Sequence, residues 1–285
     1  MLSFRYHALS LVAVILALVI GLLLGVAVGD RGLVSSAERE VRASLRKDVS
    51  QAQHERDDAR DELDDRRDFE QDAYPAIVQD RLNGMRIALI ELGSPSDKMW
   101  GLTRDALEGS GARLTSLSVI KEPLDLDALA KAARGTRYDR LNEDPSLIHP
   151  FATRVGIQFT QGGPLLRDVS STLLDQGSGT LDGADGVVVV RDDEQFDDPD
   201  QQKEVDDFEH GLMRGLRFND VPVVGIETTD SDPSQISWFK DRDLSSVDDV
   251  DDPIGRAALV FALSGERGHY GVKSSADGGR LPPVL

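Results

Sequence analysis

The sequence predicts an α/β protein with an N-terminal transmembrane helix, a long helical coiled-coil stalk and a doubly wound domain built on a mainly parallel sheet. Three observations predict it. An uncharged apolar run fills residues 8–29, a charged run without glycine or proline follows Gly32, and short Val- and Ile-rich runs then alternate with amphipathic ones. The predicted parts are a tail over 1–7, the span over 8–29, the stalk over 30–79 and an acidic globular domain over 80–285.

The run from Ala8 to Gly29 carries no charged side chain. A helix of this length spans roughly the 30 Å hydrocarbon core, so the lipid bilayer is its expected partner and an uncleaved signal-anchor is the favoured interpretation. A cleaved signal peptide is the alternative, because Ala27 and Gly29 are small residues at a suitable cleavage position. The apolar core of a signal peptide is typically about 7 to 15 residues, and the longer run favours the anchor.

Three glycines of the span, Gly21, Gly25 and Gly29, recur every four residues and therefore share one helix face. Small residues at this spacing let a second helix approach closely in lipid. Glycine is also common in spanning helices that have no partner. We expect a homo-oligomer that forms through this face and through the stalk.

The basic residues near the span give a conflicting signal about its orientation. Only Arg5 precedes the span, and five basic residues follow it: Arg31, Arg39, Arg42, Arg46 and Lys47. Taken literally, the positive-inside rule keeps the C-terminal side in the cytoplasm. The residues alone leave the side of the membrane open.

The stalk is predicted as one helix from Leu33 to about Tyr74 that ends before Pro75. A heptad seam can be drawn along it, and a coiled coil is the favoured interpretation. Because two arginines lie on the seam, a solvated single helix stabilised by pairs such as Glu62 with Arg66 is the alternative. The seam comprises Leu45, Val49, Ala52, Arg56, Ala59, Leu63, Arg66 and Ala73.

The domain that follows alternates predicted strands and helices. Near-continuous Val and Ile runs between amphipathic segments are typical of a parallel sheet covered on both faces. Strands are predicted at 86–93, 113–120, 186–191 and 221–227, and helices at 97–110, 124–134, 165–175, 199–216 and 253–264.

Ligands of such folds bind beyond the carboxyl ends of the strands. Here two of three strand ends are rich in carboxylates and hydroxyls, which suit Mg, Ca or Mn better than copper. The favoured alternative is that these acidic loops are solvated surface, so whether the domain holds a metal stays unknown. The three strand ends read Gly93-Ser94-Pro95, Asp192-Asp193-Glu194 and Glu227-Thr228-Thr229-Asp230.

Composition excludes several classes of function. With 51 acidic and 32 basic residues the formal net charge is -19, which repels nucleic acid, so no nucleic-acid partner is expected. The absence of cysteine excludes disulfides and thiolate metal sites. The five histidines, His7, His54, His149, His210 and His269, show no paired spacing along the chain.

No motif of an enzyme is found. The chain has no G-x-G-x-x-G after its first strand, no Walker A loop and no G-x-S-x-G elbow. We therefore expect a protein that is not an enzyme, with no catalytic residues and no cofactor.

The most individual stretch of the domain is its C-terminal signature. It joins an acidic approach and a helix to the turn Gly268-His-Tyr-Gly-Val-Lys273. Together with the Arg5-Tyr6-His7 entry to the span, it resembles the copper transport outer membrane protein B (MctB) family of mycobacteria and related actinobacteria. The resemblance covers the whole chain. It implies an envelope protein of copper export and tolerance, with copper ions as partners, a domain on the envelope side and an outer-membrane location, described for that family as pore-forming.

The residues support only part of this expectation. One span encloses no pore unless several copies assemble, and the chain offers four methionines and no cysteine as soft copper ligands. His269 and Tyr270 of the signature are the nearest approach to a copper site, although a glycine-flexed turn whose aromatic ring packs on the sheet is the favoured interpretation. The alternative function is a membrane-anchored dimeric scaffold or binding protein of the envelope without direct metal transport.

Overall fold

The structure is a computed structural model that describes residues 4–29 and 33–283. The chain divides into two compact units, Met1–Arg66 and Arg67–Leu285. The first unit contains helix α1 (Phe4–Gly29) and most of helix α2 (Leu33–Val78), which continues into the second. The second unit thus begins within the charged helix, ahead of residue 80 where the sequence places the start of the domain.

Helix α1 contains the predicted membrane segment. Between Tyr6 and Ala27 it is long and apolar enough to cross a bilayer, and no other helix in the described part of the chain is. Its side chains over this stretch are exposed. Because the hydrogen bonds of a helix are satisfied within the segment, such a helix is suited to hydrocarbon.

The prediction that the stalk helix ends before Pro75 is wrong, because α2 continues through Pro75 to Val78. A proline inside a helix removes one hydrogen bond and costs about 3 kcal/mol. Here Tyr74 and Val78, on either side of it, are buried in the core of the second unit. The Tyr74 hydroxyl also donates to the Ala106 carbonyl at 2.5 Å, and this anchoring offsets the loss.

The second unit is built on a seven-stranded sheet in the order β3-β2-β1-β4-β5-β6-β7. All neighbours are parallel except β2 and β3, which are antiparallel. The predicted mainly parallel α/β architecture is confirmed. The strands are β1 (Arg86–Leu92), β2 (Arg113–Ile120), β3 (Leu174–Gly179), β4 (Gly186–Arg191), β5 (Val223–Ile226), β6 (Ser245–Val247) and β7 (His269–Tyr270).

Helices cover both faces of the sheet. Successive residues of a strand point to opposite faces, so Ile87 and Leu89 enter one apolar cluster while Ala88 and Ile90 enter the other. Helices α3 and α9 pack in the first cluster, and α4 to α8 pack in the second. The helices are α3 (Asp97–Leu107), α4 (Leu126–Ala132), α5 (Ile148–Gln161), α6 (Pro164–Leu173), α7 (Pro199–Leu216), α8 (Ile236–Lys240) and α9 (Pro253–Leu263), with short 3₁₀ turns at Pro145–Leu147 and Phe218–Asp220.

The strands and helices that the sequence predicts after residue 80 are present, with ends shifted by up to three residues. The sequence did not indicate α5, α8, β3, β6 and β7. Helix α5 contains Pro150 and Gly156, which resemble helix breakers, and β6 and β7 are too short to show a period.

Candidate functional site

The carboxyl ends of the strands form a cleft at the topological switch point of the sheet. The chain goes from β1 to β2 and β3 on one side, and then returns as β4 on the other side of β1. Loops that diverge at such a point leave a crevice, which is where open α/β sheets bind ligands. A cleft of about 370 Å³ opens here between the loops after β1, β4 and β5.

The cleft brings together all three of the predicted strand ends. Ser94 and Pro95 line it from β1, Asp192 and Asp193 from β4, and Glu227 with Thr228 from β5, whereas Glu194, Thr229 and Asp230 do not line it. The loops after β1 and β4 touch because Gly93 has φ +89° and a Cβ there would lie 3.1 Å from that of Asp192. A glycine is needed at this approach.

Arg191, at the end of β4, organises the charges on one side of the cleft. Its Nε donates to Glu209 of α7 at 2.9 Å, and its Nη1 donates to Asp193 at 2.8 Å and to Gln235 at 2.6 Å. The side chains of Arg191 and Glu209 are 6% and 1% exposed. The guanidinium also lies over the Trp238 ring, 4.8 Å from its centroid. Arg191 therefore links β4, α7 and the start of α8.

Glu227, at the end of β5, has partners on both carboxylate oxygens. Its Oε1 accepts from the Ser234 hydroxyl at 2.7 Å and from Lys273 Nζ at 2.6 Å, and its Oε2 accepts from the Gln235 N–H at 2.5 Å. Lys273 donates a second bond to the Ser231 carbonyl at 2.7 Å. The last residue of the C-terminal signature thus fixes the loop that follows β5.

The rest of the signature is fixed by Asp248, which follows β6. Its two oxygens accept the backbone N–H groups of Val272 and Lys273 at 2.7 and 2.9 Å. Gly271 has φ +140°, and a Cβ there would lie 1.9 Å from Asp248 Oδ1. Gly271, Asp248 and Lys273 thus connect the C-terminal signature to the loops that follow β5 and β6.

Burial changes the acidity of two carboxyls at this edge. Burial, reinforced by the negative charge of Glu209, raises the pKa of Glu122 to about 8, so this carboxyl is protonated at neutral pH. Burial also raises the pKa of Asp249 to about 6, against the opposing effect of the Arg280 guanidinium bound at 3.1 Å. Protonation removes charge that the low-dielectric interior would otherwise hold.

His269 and Tyr270, the nearest approach to a copper site in the sequence, are engaged in the sheet. His269 Nδ1 is 2.9 Å from the Ser246 hydroxyl. Tyr270 is buried and donates its hydroxyl to the Arg267 carbonyl at 3.0 Å. Over residues 4–29 and 33–283, no three or more His, Asp or Glu side chains are grouped so that they could hold a metal ion.

The structure brings together two histidines that the sequence treats as scattered. His149 of α5 and His210 of α7 have ring centroids 5.3 Å apart, with the ring planes at 89°. Burial lowers the pKa of His149, and His210 and the Arg214 guanidinium lower it further. Gly211 and Gly215 offered a signal in the sequence, because their four-residue spacing marks the face of α7 that packs on α5.

The buried carboxylates of the carboxyl edge fall into two groups. Glu227 and Asp248 have hydrogen bonds on both oxygens, whereas Glu209 Oε2, Glu122 Oε1 and Asp249 Oδ1 are buried without a partner among the described residues. Glu227, Asp248 and Glu209 accept hydrogen bonds from lysine, arginine or backbone N–H groups. Carboxylates with bonded oxygens are poor ligands for a further cation. Glu227 and Asp248 therefore hold the loops of this edge, and the cleft lies between those loops.

Two further sets of predicted residues lie in the helices of the first unit. Gly21 and Gly25 have open space within 4 Å of the position that a Cβ would take, and the surroundings of Gly29 lie outside the described residues. The predicted pair of Glu62 with Arg66 is confirmed at 3.2 Å. The seam residues Leu45, Val49 and Leu63 are exposed.

These features define a class of protein in which one chain contains both a mainly parallel α/β domain and an N-terminal helix long and apolar enough to cross a bilayer. The chain belongs to the MctB family, since the family model described as "Copper transport outer membrane protein, MctB" matches residues 1–143 and 164–279. This confirms the resemblance seen in the sequence. The chain is similar to the "Copper transporter MctB" of Mycobacterium bovis and to that of Mycobacterium tuberculosis, each 26% identical over 314 aligned positions that cover 97% of this chain and 98% of the relative.

Proposed function

We propose that this protein acts in copper handling at the cell envelope and contributes to copper efflux and tolerance. The observation that carries the proposal is the extent of the family match, which includes the apolar helix, the domain and the signature. Both cited relatives are named copper transporters and align with this chain over almost their full length. Copper is the proposed cargo.

In this proposal the protein is a single-pass membrane protein whose domain lies on the envelope side. Support comes from helix α1, which is long and apolar enough to span a bilayer. The description of the family favours the outer membrane as the location. Protease treatment of spheroplasts tests the orientation: cleavage of the domain is expected, and full protection of the domain would overturn this part of the proposal.

We further propose that several copies assemble. One helix encloses no path for an ion, so direct transport needs an oligomer. Gly21 and Gly25 leave an open face on α1, and Leu45, Val49 and Leu63 are 54% to 56% exposed along α2. Pairing of α2 as a coiled coil would cover these apolar side chains.

In this proposal the domain is a binding domain that catalyses no reaction. Support comes from the pairs of Arg191 with Glu209 and of Lys273 with Glu227, which hold the loops at the carboxyl edge. Purified protein is expected to turn over none of the candidate hydrolase substrates. If turnover is seen, variants of Asp192 and Asp193, which line the cleft, are expected to retain it. A turnover lost in those variants would identify an enzyme instead.

Deletion of the gene tests the copper function directly. Deleted cells are expected to retain more copper, measured by mass spectrometry, and to stop growing at a lower copper concentration than the parent. A plasmid copy of the gene should restore both values. Unchanged copper content and unchanged tolerance in the deletion strain would refute the proposal.

A membrane-anchored dimeric scaffold is the second candidate, favoured by the exposed apolar seam of α2. It predicts that the protein crosslinks as a dimer, that replacing Leu45 and Leu63 by Ser removes the dimer, and that copper tolerance is normal in the deletion strain. Replacement of the exposed Gln53 by Ser is the matched control. A protein that crosslinks only as a monomer would exclude this candidate.

A further inference from the structure

A groove of about 380 Å³ lies beside the contact of α5 and α7, and no carboxylate of the described residues lines it. Three arginines do: Arg137 from the segment after α4, Arg154 from α5 and Arg214 from α7. The chain as a whole has 51 acidic and 32 basic residues. The charge of this groove is therefore opposite to that of the protein that contains it.

Two of the three arginines are free to bind a ligand. The guanidinium groups of Arg154 and Arg214 make no hydrogen bond and no ion pair with any residue that the structure describes. Other exposed arginines of the domain do find carboxylates, as Arg140 does with Glu143 at 3.1 Å. Each guanidinium has five N–H donors, so the groove presents many donors that protein groups do not use.

The third arginine, Arg137, is held in place by a buried tyrosine. Its Nη2 donates to the Tyr138 hydroxyl at 2.7 Å, and its guanidinium lies 4.9 Å from the centroid of the same ring. Tyr138 is 4% exposed, and its hydroxyl donates to the Pro150 carbonyl at 3.1 Å. This chain of contacts fixes Arg137 beside α5 while most of its donors stay unused.

The packing of α5 on α7 places the other two arginines side by side along the backbone. Gly215 follows Arg214, and a Cβ on Gly215 would lie 2.1 Å from the carbonyl oxygen of Thr153, the residue before Arg154. No other side chain separates the two helices at this point. Arg154 and Arg214 consequently extend from adjoining backbone positions on the two helices.

The rest of the groove adds one imidazole and an apolar wall. Burial lowers the pKa of His149, so its imidazole is neutral at neutral pH and keeps one N–H donor. Asp207, the carboxylate whose charge reaches His149, is ion-paired with Lys203. Pro150 and Ile157 complete the lining and can contact the apolar part of a ligand.

This arrangement fits a small molecule that carries a phosphate. The planar fork of arginine matches the oxygens of phosphate and carboxylate. A phosphomonoester has three terminal oxygens and a charge of about -1.5 to -2 at neutral pH, so it can accept from three guanidiniums, whereas a carboxylate has two oxygens and a single charge. The groove volume falls in the range of small-molecule pockets, roughly 300 to 1,000 Å³, and the acidic chain repels long polyanions.

We infer that this groove binds a phosphomonoester group, with Arg137, Arg154 and Arg214 as its hydrogen-bond donors. The phosphate belongs to a soluble ester or to a lipid headgroup, and in both cases the organic part lies against Pro150 and Ile157. The site lies on the helices that cover the sheet, apart from the cleft at the carboxyl edge. It does not depend on the proposed copper function.

Isothermal titration calorimetry of the full-length protein in detergent tests the site, with glycerol phosphate and water-soluble dibutyryl phosphatidic acid as probes. An ionic strength of about 0.15 M screens distant charges. Arg154→Gln and Arg214→Gln should each weaken binding about tenfold or more, because each removes charge-assisted hydrogen bonds. Both positions are exposed, so the unfolding midpoint in urea should stay unchanged in these variants.

Arg167→Gln is the matched control. Arg167 is exposed on α6 and does not line the groove, so the variant removes the same charge from the same unit and should keep its affinity within about twofold. Equal losses in Arg167→Gln and in the groove variants would show that only the overall charge acts, and would overturn the inference. Failure of both probes to bind the unmodified protein would overturn it as well.

The two probes distinguish the sources of the phosphate. Tighter binding of dibutyryl phosphatidic acid, lost in the groove variants, would identify a lipid headgroup, and tighter binding of glycerol phosphate with the same losses would identify a soluble ester. A deletion strain without a copper phenotype refutes the proposed function, whereas these affinities still decide whether the phosphate site exists.

Discussion

The carboxyl edge of the sheet and the contact between α5 and α7 place polar side chains in opposite conditions. At the carboxyl edge, Arg191, Glu209 and Glu227 are buried and bonded to protein groups. At the helix contact, His149 and His210 touch each other and have no described hydrogen-bonding partner at their ring nitrogens. The richer cluster of charges thus holds its loops through hydrogen bonds and ion pairs, whereas the two histidines meet through a ring contact.

The largest expected effect comes from breaking the buried charges of the carboxyl edge. Arg191→Met should lower the free energy of unfolding by about 3 to 5 kcal/mol, because Glu209 is left buried without its cation. Urea unfolding followed by tryptophan fluorescence measures it, since Trp100 and Trp238 both belong to the second unit.

Arg140→Met is the matched control, because Arg140 and Glu143 pair on the surface with side chains 69% and 64% exposed. Exposed pairs contribute little, so its unfolding midpoint should hardly move. Equal losses in the two variants would show that the carboxyl edge is no more dependent on its charges than the surface is.

The second effect is on pH dependence, through Glu122. Its pKa is about 8 in the folded protein and near 4.5 when unfolded. Between these values the folded state keeps a proton that the unfolded state has lost, so stability falls as pH rises. Glu122→Gln should remove a slope of about 1.4 kcal/mol per pH unit.

Urea unfolding at several pH values between about 6.5 and 7.5 isolates this effect, because Asp249, with a pKa of about 6, changes the slope mainly at lower pH. Identical slopes in the variant and the unmodified protein would mean that Glu122 is ionised in the folded state.

The third effect is at the helix contact. Gly215→Ala places a Cβ against the Thr153 carbonyl and should destabilise the domain by about 1 to 3 kcal/mol. Gly101→Ala is the matched control in α3, where no atom lies within 4 Å of the new Cβ. Alanine has the higher helix propensity, so this control should gain up to about 1 kcal/mol. A gain in both would show that α5 and α7 have room to separate.

The smallest effect is at the start of α3, beside the cleft. Ser96 accepts the N–H of Met99 with its hydroxyl, while its own N–H donates to Glu91 Oε2 at 2.8 Å. Ser96→Ala removes only the first bond and should cost about 1 kcal/mol in thermal or urea unfolding. Ser94→Ala, with no described side-chain hydrogen bond nearby, should be neutral; a similar loss in both would argue against a capping role.

The sheet could be predicted from the sequence where apolar runs are long. β2 and β4 begin and end at the predicted residues, because β4 contains four consecutive valines and β2 contains Leu, Val and Ile over eight residues. β6 and β7 were missed because two or three residues show no alternation. The end of α2 was misplaced because Pro75 is a local signal and the burial of Tyr74 is a tertiary one.

Part of the candidate site could also be predicted from the sequence. That the strand ends would meet follows from the parallel topology, and the structure brings them to one cleft. The partnership of Lys273 with Glu227 and the meeting of His149 with His210 join positions far apart in the chain, and no spacing rule reveals them. Gly156 looked like an interruption, yet it is what allows α5 to pack on α7.

The glycine contact has a mechanical consequence. Side chains at a helix interface can exchange rotamers and let the helices slide between alternative packings, whereas carbonyl oxygens against glycine backbone have no such alternatives. The contact between α5 and α7 is therefore expected to be rigid. Helices α5 and α7 are therefore expected to move as one body in any rearrangement of the domain.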